Sequence, residues 1–589
     1  YILHGSCQME VPFPLPSLYL ILLILYNHSP HLCERTFMPL DDMAAFLRSY
    51  HIPLFSWESR HSLADFDIVG FTLQYELSYS NILSMLDLAN IPLLAADRGE
   101  DAPLIIAGGP CVYNAEPLAD FIDIFVIGEG EEMNLQLYDL VAQMKAAGKS
   151  KQELLLAAKD IDGVYVPSLY TDYYKDDGRF AKVVAHSGAP STIKKRILTD
   201  MDSAPFPEKP LLPSVKPVHD RIMLELMRGC THGCRFCQAG IIYRPVREKN
   251  IERLKALATQ MIEATGYEEI SLSSLSSSDY SSLEELVNFL IDECRERRVN
   301  ISLPSLRIDA FSLDVMSKVQ DIKKSSLTFA PEAGSQRLRD VINKGLTEEV
   351  ILNGAQMAFE GGWNKVKFYF MLGLPTETEA DMRAIAELAN ETAARYYDTV
   401  PKEKRNGRCQ ITISTSFFVP KPFTPFQWAR MYPPEDYIGR AKVVNDTVKE
   451  QLNKKSIKYN WHEADVSVLE SVLARGDRNL NKAILRAYER GCIYDAWSEY
   501  YKHDVWLSVF DECGIDPDFY TTRLREDDEV FPWDFLDCGV TREFLLREWH
   551  KAQEETVTLN CKQQCNGCGA AKYHTGICME PRIREGAEE

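Results

Sequence analysis

Three cysteines within eight residues constrain this chain more than any other feature. Cys230, Cys234 and Cys237 are spaced C-x-x-x-C-x-x-C in RIMLELMRGCTHGCRFCQAGIIYRPVR, residues 221–247, at the end of an apolar run. That arrangement predicts a loop leaving a strand, with three thiolates placed to wrap a small inorganic cluster. A cubane has four irons, so three protein thiolates leave one iron open to a further ligand. The rival reading is structural zinc, which needs four closed ligands, usually as two separated pairs. Only His232 lies near enough in sequence to be the fourth, and it falls inside the first spacing.

A chain of 589 residues exceeds one ordinary core and predicts several domains. Its 45% hydrophobic and 26% charged residues are those of a globular protein. The net charge of -21, from 65 basic and 86 acidic residues, argues against a broad nucleic-acid surface. Fifteen cysteines, several in metal-like spacings, fit a reducing compartment better than a disulfide framework. The first residue is Tyr1, which reads as a fragment or a damaged start. The run from Leu18 to Tyr26 is too short to span a bilayer and lacks a preceding basic segment. It is expected to be a buried helix or strand, the protein to be cytoplasmic, and no membrane to be involved.

Taken in order, residues 1–160 read as a doubly wound α/β domain of the Rossmann or flavodoxin type. Apolar strands such as DIVGFTLQ, PLIIAGG and IDIFVIGEGEE alternate with helical stretches and end in glycine-rich turns. The turns AGGP (Ala107 to Pro110) and GEGE (Gly128 to Glu131) fall where such sheets bind ligands, and their missing side chains would let a large flat ligand approach the backbone. The stretch before Cys33 fits poorly, as though a first strand were missing or damaged. Residues 161–217 read as a hairpin turning at Asp176 to Gly178, then a spacer with five prolines in thirteen residues (Pro205 to Pro217). From 218 to 436 six strand patterns alternate with helical crossovers, as parallel strands require. Residues 437–589 read as a mostly helical C-terminal extension.

The cysteine spacing, with Phe236 before the third cysteine, resembles the radical S-adenosylmethionine superfamily. That resemblance implies a partial (β/α)6 barrel of the TIM type and a 4Fe-4S cluster on Cys230, Cys234 and Cys237. Its free iron would be chelated by S-adenosylmethionine, and an electron from the cluster would cleave that cofactor to methionine and a 5′-deoxyadenosyl radical, which abstracts hydrogen from a substrate. Chemistry in such barrels gathers at the carboxyl ends of the strands. Ser276 follows the second strand, Arg307 ends the third, and PEAGSQR, with Glu332 and Gly334, is similar to an E-S-G-S-Q-R segment of radical enzymes. Gly373 opens GLPT, which matches the family's turn near the adenine. These residues, with Phe236, are the expected cofactor contacts. Their plainer roles are a helix N-terminal charge for Glu332, an ion pair for Arg307 and a tight turn for Gly373. Arg244 and Arg247 could anchor a phosphate or carboxylate, or simply solvate a surface.

The domain preceding the barrel resembles the cobalamin-binding module of cobalamin-dependent radical enzymes. The D-x-H-x-x-G motif that supplies an axial histidine in many cobalamin proteins is absent, as it is in many radical enzymes of this type. Cobalamin-dependent methyl transfer and a domain that binds nothing are therefore both open. CQAGIIYRP and VPKPFTPFQW, with the C-terminal stretch, resemble one uncharacterised radical S-adenosylmethionine family, often fused to or beside a radical-SAM-linked protein. That protein, and a reductant such as flavodoxin or ferredoxin, are the implied partners. At the tail, Cys561, Cys565, Cys568 and Cys578 are spaced C-x-x-x-C-x-x-C-x9-C, a second site for zinc or an auxiliary iron-sulfur cluster. With a tail cluster, sulfur insertion during transfer-RNA or ribosome maturation is the second enzymatic reading. A non-catalytic, metal-stabilised RNA or protein adaptor is the alternative of another class. The intact triad and, for RNA, the acidic charge weigh against it.

Overall fold

The computed structural model describes residues 2–6, 29–210, 212, 220–302 and 327–579. It divides into two units. The first comprises residues up to 198, Ser203–Pro207 and Leu469–Gly539. Its sheet has the order β2 (Cys33–Phe37), β1 (Ile2–Ser6), β3 (Ile68–Thr72), β4 (Leu104–Gly108), β5 (Ile124–Val126) and β6 (Val164–Tyr165), parallel except for β6 against β5. A strand therefore stands between β2 and β3, where sequence suggested that one was missing. The expected buried element from Leu18 to Tyr26 lies outside the described residues.

IVGFT and LIIAG are buried along almost their whole length because both faces of the parallel sheet are covered. On one face the helix Gly130–Ala146 sets Met133, Leu137, Tyr138 and Val141 against Ile68, Leu104, Ile106, Ile124 and Val126. The helix Tyr79–Leu88 is buried all round, at every residue but Asp87, because the Leu469–Gly539 segment covers it. Ser80 donates to Asp495 at 2.9 Å, the Tyr494 N–H donates to Asn81 at 2.8 Å, and Tyr488 donates to Asp87 at 2.7 Å. The expected hairpin is present as β7 (Tyr170–Tyr174) and β8 (Phe180–Ala185), turning at Gly178 with φ +83°.

The second unit comprises Thr199–Asp202, Glu208–Val468 and residues from Val540 onward. The expected separate C-terminal domain from 437 is thus corrected. Its middle, 469–539, completes the core of the first unit, and its two ends belong with the second. All six expected strands of the second unit are present, in two parallel runs. The first run is Ile222–Glu225, Glu269–Ser273 and Asn300–Ser302; the second is Leu327–Glu332, Lys365–Leu372 and Gln410–Phe417. A seventh strand, Ile457–Trp461, extends the second run.

Alternation along these strands separates two faces. Val366, Phe368, Phe370 and Leu372, with Ile411 and Ile413, pack against helices Glu348–Glu360 and Glu379–Thr399 through Ile351, Ala355, Ile385 and Ala389. The opposite face carries Lys367 and Tyr369 beside Thr412 and Ser414 in register, so the inner face of this partial barrel is polar. Among the described residues, no helix is long and apolar enough to cross a membrane.

Candidate active site

The cluster loop leaves the first strand of the second unit, and Gly229 turns the chain into it with φ +86°. A Cβ there would stand 2.9 Å from the Tyr243 carbonyl and 3.0 Å from Val246 Cα, so the turn needs glycine. Cys230, Cys234 and Cys237 are free, partly buried thiols. Burial, then the neighbouring Cys234 and Cys237, push the Cys230 thiol up to about 12, and burial followed by Cys234 pushes Cys237 up to about 11. The three sulfurs therefore lie near enough to act on one another. Among the described residues, no three His, Cys, Asp or Glu side chains converge closely enough to hold a single metal ion. Three thiolates on one short loop can each bind a different iron of a cubane and leave the fourth iron open, so this donor set fits such a cluster.

Two charged residues fasten the loop. Arg235, fully buried between two of the cysteines, donates to Glu548 at 3.1 Å and to the carbonyls of Val341 at 2.9 Å and Thr556 at 2.7 Å. Asp279 accepts from Thr231 at 2.9 Å and pairs with His232 at 2.9 Å. Burial alone would raise the Asp279 carboxyl, but His232, Ser276 and Thr231 outweigh it and hold it well below the usual carboxylate range. Ser276 itself is buried at the start of this turn, and its N–H donates to Ser274 at 3.2 Å. The sequence offered an acidic residue in SSSD but no sign that it would reach the loop.

Glu332 lies beside Cys237, close enough for its charge to act on that thiol. It takes φ +68°, a left-handed conformation uncommon for a side-chain-bearing residue, and such strain gathers at functional sites. Lys344 stands 3.2 Å from Glu332 and 5.9 Å from the centre of the Phe236 ring. Phe236 packs on the cluster of Leu338, Ile342, Leu374 and Phe426. Glu332, Lys344, Phe236 and Cys237 thus form one group, in which Lys344 was not foreseen.

The two barrel glycines have packing reasons to be glycine. A Cβ on Gly334 would come within 2.4 Å of the Ile385 nitrogen on helix Glu379–Thr399. At Gly373, φ is +83° and a Cβ would meet Tyr437 at 2.2 Å. The Gly373 N–H donates to Glu377 at 2.9 Å. Burial pushes that carboxyl up to about 7, although Arg440 lies 2.5 Å away. Arg307 lies outside the described residues. Arg244 and Arg247 are both buried, so the reading of them as surface-solvating side chains is corrected. Arg244 donates to the Gly240 carbonyl at 3.0 Å and the His232 carbonyl at 3.3 Å. Burial opposes its charge, but the thiols of Cys568, Cys561 and Cys230 outweigh that and raise its proton affinity.

In the first unit, the glycine turns expected to receive a flat ligand are packed on one side against the chain, so both positions need glycine. A Cβ on Gly109 would meet the Leu73 carbonyl at 2.7 Å, and one on Gly128 the Arg196 carbonyl at 2.1 Å. The Glu129 N–H donates to that same Arg196 carbonyl at 3.0 Å. Beyond β4, Asn114 donates to the carbonyls of Ala474 and Gly476, and Arg478 donates to Glu116 at 2.8 Å. Glu116 and Asp172 share this one arginine. Burial, then Glu116, push the Asp172 carboxyl well above the usual range.

The tail lies against the cluster loop, within the second unit. The Cys561 N–H donates to the Thr231 carbonyl at 2.8 Å, the Ile577 N–H to Val246 at 2.9 Å, and the Thr541 N–H to Cys568 at 2.9 Å. Lys562 donates to the Asp279 carbonyl. Burial, followed by the charges of Cys568, Cys561 and Cys565, pushes the Cys578 thiol up to about 11, so the other three tail thiols lie near enough to act on it.

A family model described as radical SAM proteins, N-terminal, matches residues 18–167, and that of the radical SAM superfamily matches 224–389. The chain is 30% identical to the uncharacterized protein MJ0966 of Methanocaldococcus jannaschii, over 80% of this chain and 91% of that one. It is 23% identical to the uncharacterized methyltransferase PH0819 of Pyrococcus horikoshii, over 60% of this chain and 68% of that one. Among solved structures, the radical S-adenosylmethionine methyltransferase TsrM from Kitasatospora setae is similar at a TM-score of 0.46 and 13% identity, covering 74% of this chain and 79% of that one. The chain belongs to the radical SAM superfamily, in the family of MJ0966, and is an enzyme whose family cofactors are a 4Fe-4S cluster and S-adenosylmethionine.

Proposed function

We propose that this enzyme activates a carbon–hydrogen bond of a polar substrate held against the inner face of the second unit. The observation that carries the proposal is the fastened triad: three thiols beside one another, with Glu332, Lys344 and Phe236 grouped at Cys237. When bound, the cluster and S-adenosylmethionine would supply one-electron cleavage of the cofactor. Arg235 and Asp279 hold the loop's shape, and the Glu332 carboxylate and Lys344 ammonium offer opposite charges to the amino and carboxylate ends of a methionine. Lys367, Tyr369, Thr412 and Ser414 present a polar wall, which favours a substrate with hydrogen-bonding groups over a bare hydrocarbon.

Group transfer onto the activated carbon is the finer reading. PH0819 is named a methyltransferase, and MJ0865 of Methanocaldococcus jannaschii, 24% identical over 27% of this chain and 37% of its own, a putative methylthiotransferase. Cobalamin-dependent methylation would place its cofactor on the first unit, at the carboxyl ends of its parallel strands. The test is anaerobic reconstitution with iron and sulfide, reduction with S-adenosylmethionine present, and assay of 5′-deoxyadenosine for wild type beside Cys234→Ala. Product from the wild type alone supports the proposal. Equal product from both, or none from a wild type carrying a reducible cluster and given a range of polar substrates, overturns it. Cobalt bound in proportion to protein would support the cobalamin reading.

A further inference from the structure

We infer that Cys561, Cys565, Cys568 and Cys578 hold a second iron-sulfur cluster, closed by four protein thiolates and pressed against the loop that carries the first. Each stretch bearing these cysteines is fixed in place. Cys561 is bonded through its N–H to Thr231, the neighbour of Cys230, and Cys568 is held through its carbonyl by Thr541. Asn566, between Cys565 and Cys568, donates to the Leu559 carbonyl at 2.7 Å, which draws the irregular stretch before Cys561 onto the next turn. Ile577, beside Cys578, bonds to Val246. Gly576 lies so close to the Val246 carbonyl that a Cβ would stand 1.9 Å from it. These ties bring four thiols from eighteen residues to one place on the second unit.

The spacing favours a cluster over zinc: Cys561, Cys565 and Cys568 repeat the C-x-x-x-C-x-x-C of Cys230, Cys234 and Cys237, and Cys578 supplies the fourth thiol. Arg244, buried at 4% exposure, donates to the His232 carbonyl of the first loop at 3.3 Å, and the Ile577 N–H of the tail bonds Val246 two residues further on, so a buried cation stands where the tail meets the loop. A buried cation beside anionic thiolate cages is stabilised by them and lessens their mutual repulsion. With a thiolate on each iron, the second cluster has no open position for S-adenosylmethionine, which distinguishes it from the first.

The experiment counts metal in full-length protein reconstituted anaerobically. Wild type is expected to carry about eight irons and eight sulfides per chain, falling to about half in Cys565→Ser/Cys568→Ser. The complementary protein, with Cys230, Cys234 and Cys237 all changed to Ala, should keep the other half, with a reducible cluster signal by electron paramagnetic resonance. In reduced wild type the two signals should broaden one another, and each variant alone should be sharp. One zinc per chain with about four irons, or no iron in the triad variant, overturns the inference. The triad variant keeps the test decisive if the tail variant fails to fold. It separates this inference from the radical reading too, since its iron count is independent of S-adenosylmethionine cleavage.

Discussion

Arg235 has no exposed surface, and its partner Glu548 is 313 residues away in sequence. A buried ion pair contributes little net stability against an apolar replacement, but removing one partner strands the other charge. Arg235→Ala is therefore expected to cost about 3–5 kcal/mol and to loosen the cluster loop, while Arg235→Met with Glu548→Met should be much milder. Thermal melting of the three proteins, with their iron retention, checks this. The cysteines on either side of Arg235 were legible because spacing alone marks them. Arg235 itself was not, because nothing local to C-R-F-C says that its charge will be buried. The same holds for Lys344 and Asp279, whose roles depend on neighbours brought in by other strands.

At the scale of elements, the strands of the second unit were legible because each is an apolar run followed by a helical stretch. Ile457–Trp461 was missed because IKYNW is mostly exposed and carries no buried alternation. The turns show a different limit. A glycine after a strand reads the same whether a ligand or the chain itself fills the space, and only the fold distinguishes them. Helix Glu379–Thr399 fills the space at Gly334, so Gly334→Ala must push its backbone away. Such overpacking costs about 1–3 kcal/mol, seen as a lower melting temperature. Gly266→Ala, where a Cβ meets nothing within 4 Å, isolates the penalty of a left-handed glycine from that of packing.

At the scale of the molecule, sequence order misled the division of the chain. A contiguous C-terminal domain was the natural reading, yet 469–539 covers a helix of the first unit and 540–579 fastens the cluster loop of the second. The Glu116, Asp172 and Arg478 group ties that returning segment to the first unit, with two carboxyls against one arginine. Asp172 binds its proton more tightly in the fold than in the unfolded chain. Stability from this group is therefore full below the usual carboxylate range and is lost as pH rises through the native value, at up to about 1.4 kcal/mol per pH unit. Melting temperature should fall between about pH 5 and pH 8, and Asp172→Asn should flatten that fall.

The distance in sequence between Arg235 and Glu548 also sets an order of events. Chains fold from their amino terminus as they are made. The barrel strands, and the three thiols at their head, emerge long before the segment that clasps them. Throughout that interval the loop lacks Glu548, Thr556 and Cys561, the partners that hold Arg235 and Thr231, and its native shape is complete only when 540–579 arrives.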